Sequence, residues 1–182
     1  MRDKCLRAEW HKFSGDFAAL VRDNGEAPRV PPNTQPLSPL PNPPGSSMKT
    51  KPVLELHDVQ QIAAAACAEA QRNAWAVSIA IVDDGGHLLH FQRLDGVAAV
   101  SSTIAQAKAR TAALGRRESK VYEDMINGGR QSFLSVAVLD GMLEGGVPIT
   151  RDGHCLGAVG VSGVKSHEDA QVARAGIAAL PG

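Results

Sequence analysis

Eight of the chain's 11 prolines fall between Pro28 and Pro44, in the stretch PRVPPNTQPLSPLPNPPGSS. Each proline removes a backbone N–H and fixes φ, so this stretch builds neither a helix interior nor a central strand. Polyproline II or disorder is its expected state. It divides the 182 residues into an extension over 1–47 and a domain over 48–182 large enough for one core. In the extension Trp10, Phe13, Phe17, Leu20 and Val21 recur at roughly helical spacing, but one isolated helix of this length is marginal in water. No apolar run follows Arg2, Lys4 and Arg7, so no secretory signal is expected. Asp3, Glu9, Asp16, Asp23 and Glu26 argue against a transit peptide. Met48 precedes the first orderly pattern and is the expected natural start of the domain.

Charge and cysteine usage narrow the function classes. Nineteen basic residues balance 19 acidic ones, so the basic excess of a phosphate-binding protein is missing and no nucleic-acid partner is expected. No apolar run approaches the ~18–20 residues that cross a bilayer, so no membrane partner is expected either. Cys5, Cys67 and Cys155 are odd in number and far apart. That pattern fits a reducing, cytoplasmic setting and suggests neither a disulfide framework nor a metal site.

Periodicity predicts the elements of the domain. Val59, Ile62, Ala63, Ala66 and Ala70 share one face of a helix within 55–73. WAVSIAIV, residues 75–82, is apolar on both faces and reads as a central strand. Asp83-Asp84-Gly85-Gly86 is hairpin chemistry leading to a second strand over 87–94. Ser101 or Ser102 is expected to cap a helix ending at Gly115, with Ile104, Ala107, Thr111 and Leu114 inward. Ser119 is expected to cap a short helix to Ile126, and 130–144 is ambiguous between strand and helical turn. A strand near 147–151, an Asp152-Gly153 turn and a strand over 154–162 form a second hairpin. Gly157, Gly160 and Gly163 suggest close approach of a backbone or ligand. A last helix starts at Ser166, with Ser166 as N-cap, Asp169 near N3, and Val172, Ala173, Gly176, Ile177 and Leu180 inward. Helix, hairpin, helix pair, hairpin, helix is an α+β order with a mostly antiparallel sheet.

Four segments in this order, AVSIAIVDDGGHLLHFQRLDG, IAQAKARTAAL, GGVPITRDGHCLGAVGVSG and HEDAQVARAGIAAL, resemble the GlcG/HbpS family, which includes the PduO C-terminal domain. The resemblance covers about 53–180. It implies a profilin-like α/β/α fold with a five-stranded antiparallel sheet, and a homo-oligomer. It also implies a haem- or corrinoid-related role: some members bind haem, and others accompany glycolate or propanediol pathways.

Candidate site residues follow from side-chain chemistry. Arg93, beside Asp95, suits a carboxylate or propionate at a pocket rim, or pairs with that aspartate to fix its loop. Lys108 and Arg110 either add charge to the same site or are solvated helix-surface bases. Gly145, Gly146 and Pro148 either present backbone N–H groups to an anion or form a turn of unusual φ. His167, at a helix start with Glu168 and Asp169, is a candidate proton donor or iron ligand. His87 and His90 lie on opposite strand faces and cannot share one ion without a bulge. A haem iron needs only one axial histidine, so His57, His87, His90 and His154 each stay open. Cys67 and Cys155 read as packing residues. The expected function is a haem- or tetrapyrrole-binding accessory protein that self-associates. The alternative is an enzyme on a small carboxylated or hydroxylated metabolite, anchored by Arg93 with His167 or Asp169 as acid/base. A further partner would be a pathway enzyme.

Overall fold

The computed structural model describes residues 49–181. The proline-rich stretch and the amphipathic pattern expected over 1–47 lie outside the described residues. Helix α1 spans Leu56–Arg72, strands β1 and β2 Ser78–Asp83 and Leu88–Arg93, and helices α2 and α3 Ser101–Gly115 and Ser119–Asn127. A 3-10 turn at Gln131–Ser135 precedes β3, Gly146–Arg151, β4, His154–Ser162, and α4, Ser166–Ile177. The ambiguous stretch thus resolves as a 3-10 turn and loop.

The four strands form one sheet in the order β2-β1-β4-β3, antiparallel at every pairing. Five strands were expected from the resemblance; the sheet has four among the described residues. Asp152 and Gly153 both have positive φ, 49° and 76°, which is what a two-residue turn between right-twisted strands requires. The two hairpins join through β1 and β4, so β1 is central and apolar on both faces.

Those two faces feed separate cores. Ile79 and Ile81 of β1 join Val159 and Val161 of β4 beneath Val59, Ile62, Ala66 and Val172 of α1 and α4. On the opposite face Ala80, Val82 and Ala158 meet Ala105, Ala109, Ala112 and Ala113 of α2. This corrects the expected inward face of α2. Ala107 and Thr111 are buried against the loop at Gly141, whose N–H donates to Thr111 Oγ1 at 3.0 Å. Leu114 is 42% exposed. A helix covered on two sides has a wide buried arc, which a single stripe does not predict. The alanine face lets α2 lie so close to β4 that a methyl on Gly160 would collide with the Ala105 carbonyl. The expected close approach at Gly160 is that of a helix backbone.

Serine caps are the second correction. The N-cap positions are Val100, Glu118 and Lys165, not Ser101, Ser119 and Ser166. Ser101 bonds inward to Ser78, Oγ to Oγ at 2.8 Å, tying α2 to β1. Ser119 Oγ accepts the Gly146 N–H at 2.8 Å and donates to the Leu143 carbonyl. At α4 it is Glu168 that accepts the Lys165 N–H, at 3.0 Å. The left-handed residue after α2 is Arg116, with φ 52°, and not Gly115.

Candidate functional site

The candidate residues sit in three places rather than one. The first is interior. Lys108 is 3% and Asp169 2% exposed; Lys108 Nζ donates to Asp169 Oδ2 at 2.8 Å and to the Val161 carbonyl at 3.1 Å. Asp169 Oδ1 accepts the Val164 N–H at 3.2 Å. Lys108 is therefore not the solvated or pocket-lining base that a helix position suggested: its ammonium ties α2 to α4 past the end of β4. Gly145, with φ 124°, closes over the pair, and a methyl on it would lie 2.8 Å from Lys108 Nζ. The Gly146 N–H is taken by Ser119, so it is not free to hold an anion. Pro148 is half-buried within β3, paired with Ala158. Burial raises the Asp169 carboxyl above its ordinary value, outweighing the lowering by Lys108 and by the Val164 and Gly163 N–H groups.

The second place is the C-terminal end of β2. Arg93 and Asp95 are both exposed. Arg93 Nη2 donates to the Val97 carbonyl at 3.0 Å, and among the described residues no Arg93–Asp95 ion pair forms. His167 is exposed at the start of α4.

The third place is the β1–β2 turn, which sequence reasoning left undivided among several histidines. Asp83 Oδ1 accepts the Gly85 and His87 N–H groups at 2.9 and 2.8 Å. His87 Nδ1 lies 3.1 Å from Asp83 Oδ2, while its ring is 81% exposed. The carboxylate assigns the proton to Nδ1 and leaves the Nε2 lone pair facing outward. Partial burial alone would raise the Asp83 carboxyl; the hydrogen bonds from His87 and Gly85 prevail and hold it below the ordinary carboxylate value. The C-terminal half of α2 crosses the same turn: a methyl on Gly86 would lie 2.9 Å from Arg110 Cγ and 3.6 Å from Leu114 Cγ. Arg110 Nη2 pairs with Asp140 Oδ2 at 3.1 Å, both side chains about half exposed. The signal that could have found this site is local, an Asp four residues before a His across Asp-Gly-Gly.

His90 differs from its neighbour. It pairs with Ile81 on the α1 side of the sheet, where its Nε2 is buried without a hydrogen-bond partner. Cys67 packs against that core, 3.6 Å from Gln92 Nε2. A cavity of about 300 Å³ between α3 and the following loop is lined by Ile126, Leu134, Met142 and Leu143, but Glu123 and Asp140 also face it.

The sequence profile described as haem-degrading protein HbpS-like matches residues 54–178. The chain belongs to this HbpS-like family. It is 55% identical to protein GlcG of Escherichia coli strain K12 over 115 residues, 63% of this chain and 85% of GlcG. The crystal structure of HbpS superposes with a TM-score of 0.68 at 30% identity, over 75% of this chain and 96% of that one. A crystal structure of a PduOC–haem complex superposes at 0.63 with 31% identity, over 71% and 96%.

Proposed function

We propose that this HbpS-like chain is a small-molecule-binding accessory protein that binds haem or a related tetrapyrrole and acts as a homo-oligomer in the cytoplasm. The observation that carries the reading is its likeness, at 31% identity, to a relative solved as a haem complex. The donor chemistry on the surface fits such a group. Haem asks for one axial nitrogen or sulfur, apolar contact for the macrocycle, and cations for its carboxylates. His87 offers an oriented imidazole, and Leu88, 50% exposed, offers apolar surface. Arg93 and Arg110 are exposed guanidinium groups. Self-association is supported by large apolar side chains left open on the described unit, among them Leu56 at 72%, Leu134 at 65% and Val138 at 65%. Free Cys67 and Cys155 are in keeping with a reducing compartment. No helix among the described residues is long and apolar enough to cross a membrane.

The enzymatic alternative, with Arg93 as anchor and Asp169 or His167 as acid/base, has less to draw on. The Asp169 carboxylate is committed to Lys108 and Val164, and His167 is exposed. Titration of ferric haem into the full chain tests the main reading. Saturable binding at micromolar haem with a shifted Soret band is expected; no shift and no saturation would reject it.

A further inference from the structure

We propose that His87 is the axial ligand to haem iron in this chain, with Leu88 and Leu114 as the bed beneath the ring and Arg110 as the partner of a propionate. The inference rests on the haem-binding reading and assigns its site. Of the six histidines, His87 is the one in the described unit whose ring is both 81% exposed and fixed through Nδ1 by a carboxylate. That arrangement fixes the tautomer and leaves Nε2 open to solvent, as outer carboxylates do for metal-bound imidazoles. His90, by contrast, has its Nε2 buried on the α1 side.

The surroundings match the rest of the molecule. Leu88 pairs with Val82 and Phe91 with Ala80, which places both on the sheet face that α2 covers. Yet α2 packs on β1 and β4 and leaves Leu88 50% and Leu114 42% exposed. The result is an apolar strip beside the His87 turn on a chain whose β2 is an edge strand. Arg110 supplies the positive charge, because its stem crosses Gly86. Its present partner Asp140 is about half exposed, and an exposed pair of this kind holds by only about 0.2–1 kcal/mol. A second carboxylate can therefore take the guanidinium. Arg110 is the nearer of the two exposed guanidinium groups: Arg93 lies at the other end of β2, six residues and about 20 Å of backbone from His87.

The test is ferric haem titrated into the full chain and into His87→Ala, His90→Ala and Arg110→Ala, read by the Soret and visible bands and by electron paramagnetic resonance. In His87→Ala the histidine-ligated spectrum should disappear and affinity should fall at least tenfold. Millimolar imidazole should restore the band, which a purely structural role would not permit. Arg110→Ala should weaken binding several-fold with the ligand spectrum unchanged, and His90→Ala should leave both as in the parent. A parent spectrum retained in His87→Ala, in protein of unchanged far-UV circular dichroism, overturns the ligand assignment and leaves haem binding standing. A parent chain that binds no haem overturns both.

Discussion

An added methyl is destabilising at Gly160 and at Gly153 for different reasons. At Gly160 the obstacle is helix backbone, which cannot swing aside. Gly160→Ala must push α2 off β4, and overpacking of this kind costs about 1–3 kcal/mol; urea unfolding should show the midpoint fall accordingly. At Gly153 a methyl meets nothing within 4 Å, but φ is 76°, so Gly153→Ala should cost only the left-handed penalty, about 1 kcal/mol. Asp83 makes a prediction about pH. Its carboxyl is held below the ordinary value of 3.8, so the folded state binds its proton less tightly than the unfolded chain. Its contribution is complete above that ordinary value and is lost as pH falls through the lower folded one. Asp169 is shifted the other way, and its contribution fades as pH rises through its folded value. Comparing the parent with Asp83→Asn cancels the Asp169 effect. The gap in urea midpoint should shrink as pH falls below about 4; a gap that went on growing below that pH would contradict the assignment.

At the scale of elements, the fold is two hairpins and two helical layers held by a few buried polar links. The Lys108–Asp169 pair joins α2 to α4 across 61 residues of chain. Buried pairs add little net stability over apolar replacements, because desolvation offsets the attraction. Removing one partner is different, since it strands a charge in the interior. Asp169→Ala is expected to cost about 3–5 kcal/mol, whereas Lys108→Met combined with Asp169→Leu should cost much less than the two single losses together. A double-mutant cycle in urea reads this coupling directly; additive losses would mean that the two groups do not interact. Glu69 plays the corresponding role between α1 and α4. It accepts from Gln171 Nε2 at 2.6 Å and Asn73 Nδ2 at 3.2 Å, and also pairs with Arg72. The hydrogen bond from Gln171, against the opposing effect of burial, holds its carboxyl below the ordinary value with help from Arg72 and Asn73.

For the whole molecule the proposals concern assembly and ligand. A chain of 19.1 kDa that leaves Leu56, Leu134 and Val138 largely open should associate. Size exclusion with light scattering is expected to give a multiple of that mass, and a clean 19.1 kDa species would contradict it. If haem binds as proposed, it stabilises the folded state by mass action, adding about 2.7 kcal/mol at 100 times Kd. The melting temperature should therefore climb with haem concentration in the parent and climb by no more than about half as much in His87→Ala, since tenfold weaker binding leaves about 1.4 kcal/mol at the same haem concentration.

What the sequence determined by itself was whatever is encoded within one turn or one strand. The helix face from Val59 to Ala70, the two-faced strand ending in Val82, and the Asp-Gly turn at 152–153 were legible because period and φ preference act over a few residues. The α1 face and the bounds of β4, His154–Ser162, follow from that. The tertiary structure alone decided which polar groups meet. Lys108 looked like a surface base because its counter-ion lies on another helix, on the far side of the sheet. Ser101 and Ser119 looked like caps because their true partners, Ser78 and Gly146, are more than 20 residues away. The inward arc of α2 depended on a loop arriving from 139–141. Distant residues converge only when the sheet and its two helical layers close, and no local pattern carries that information.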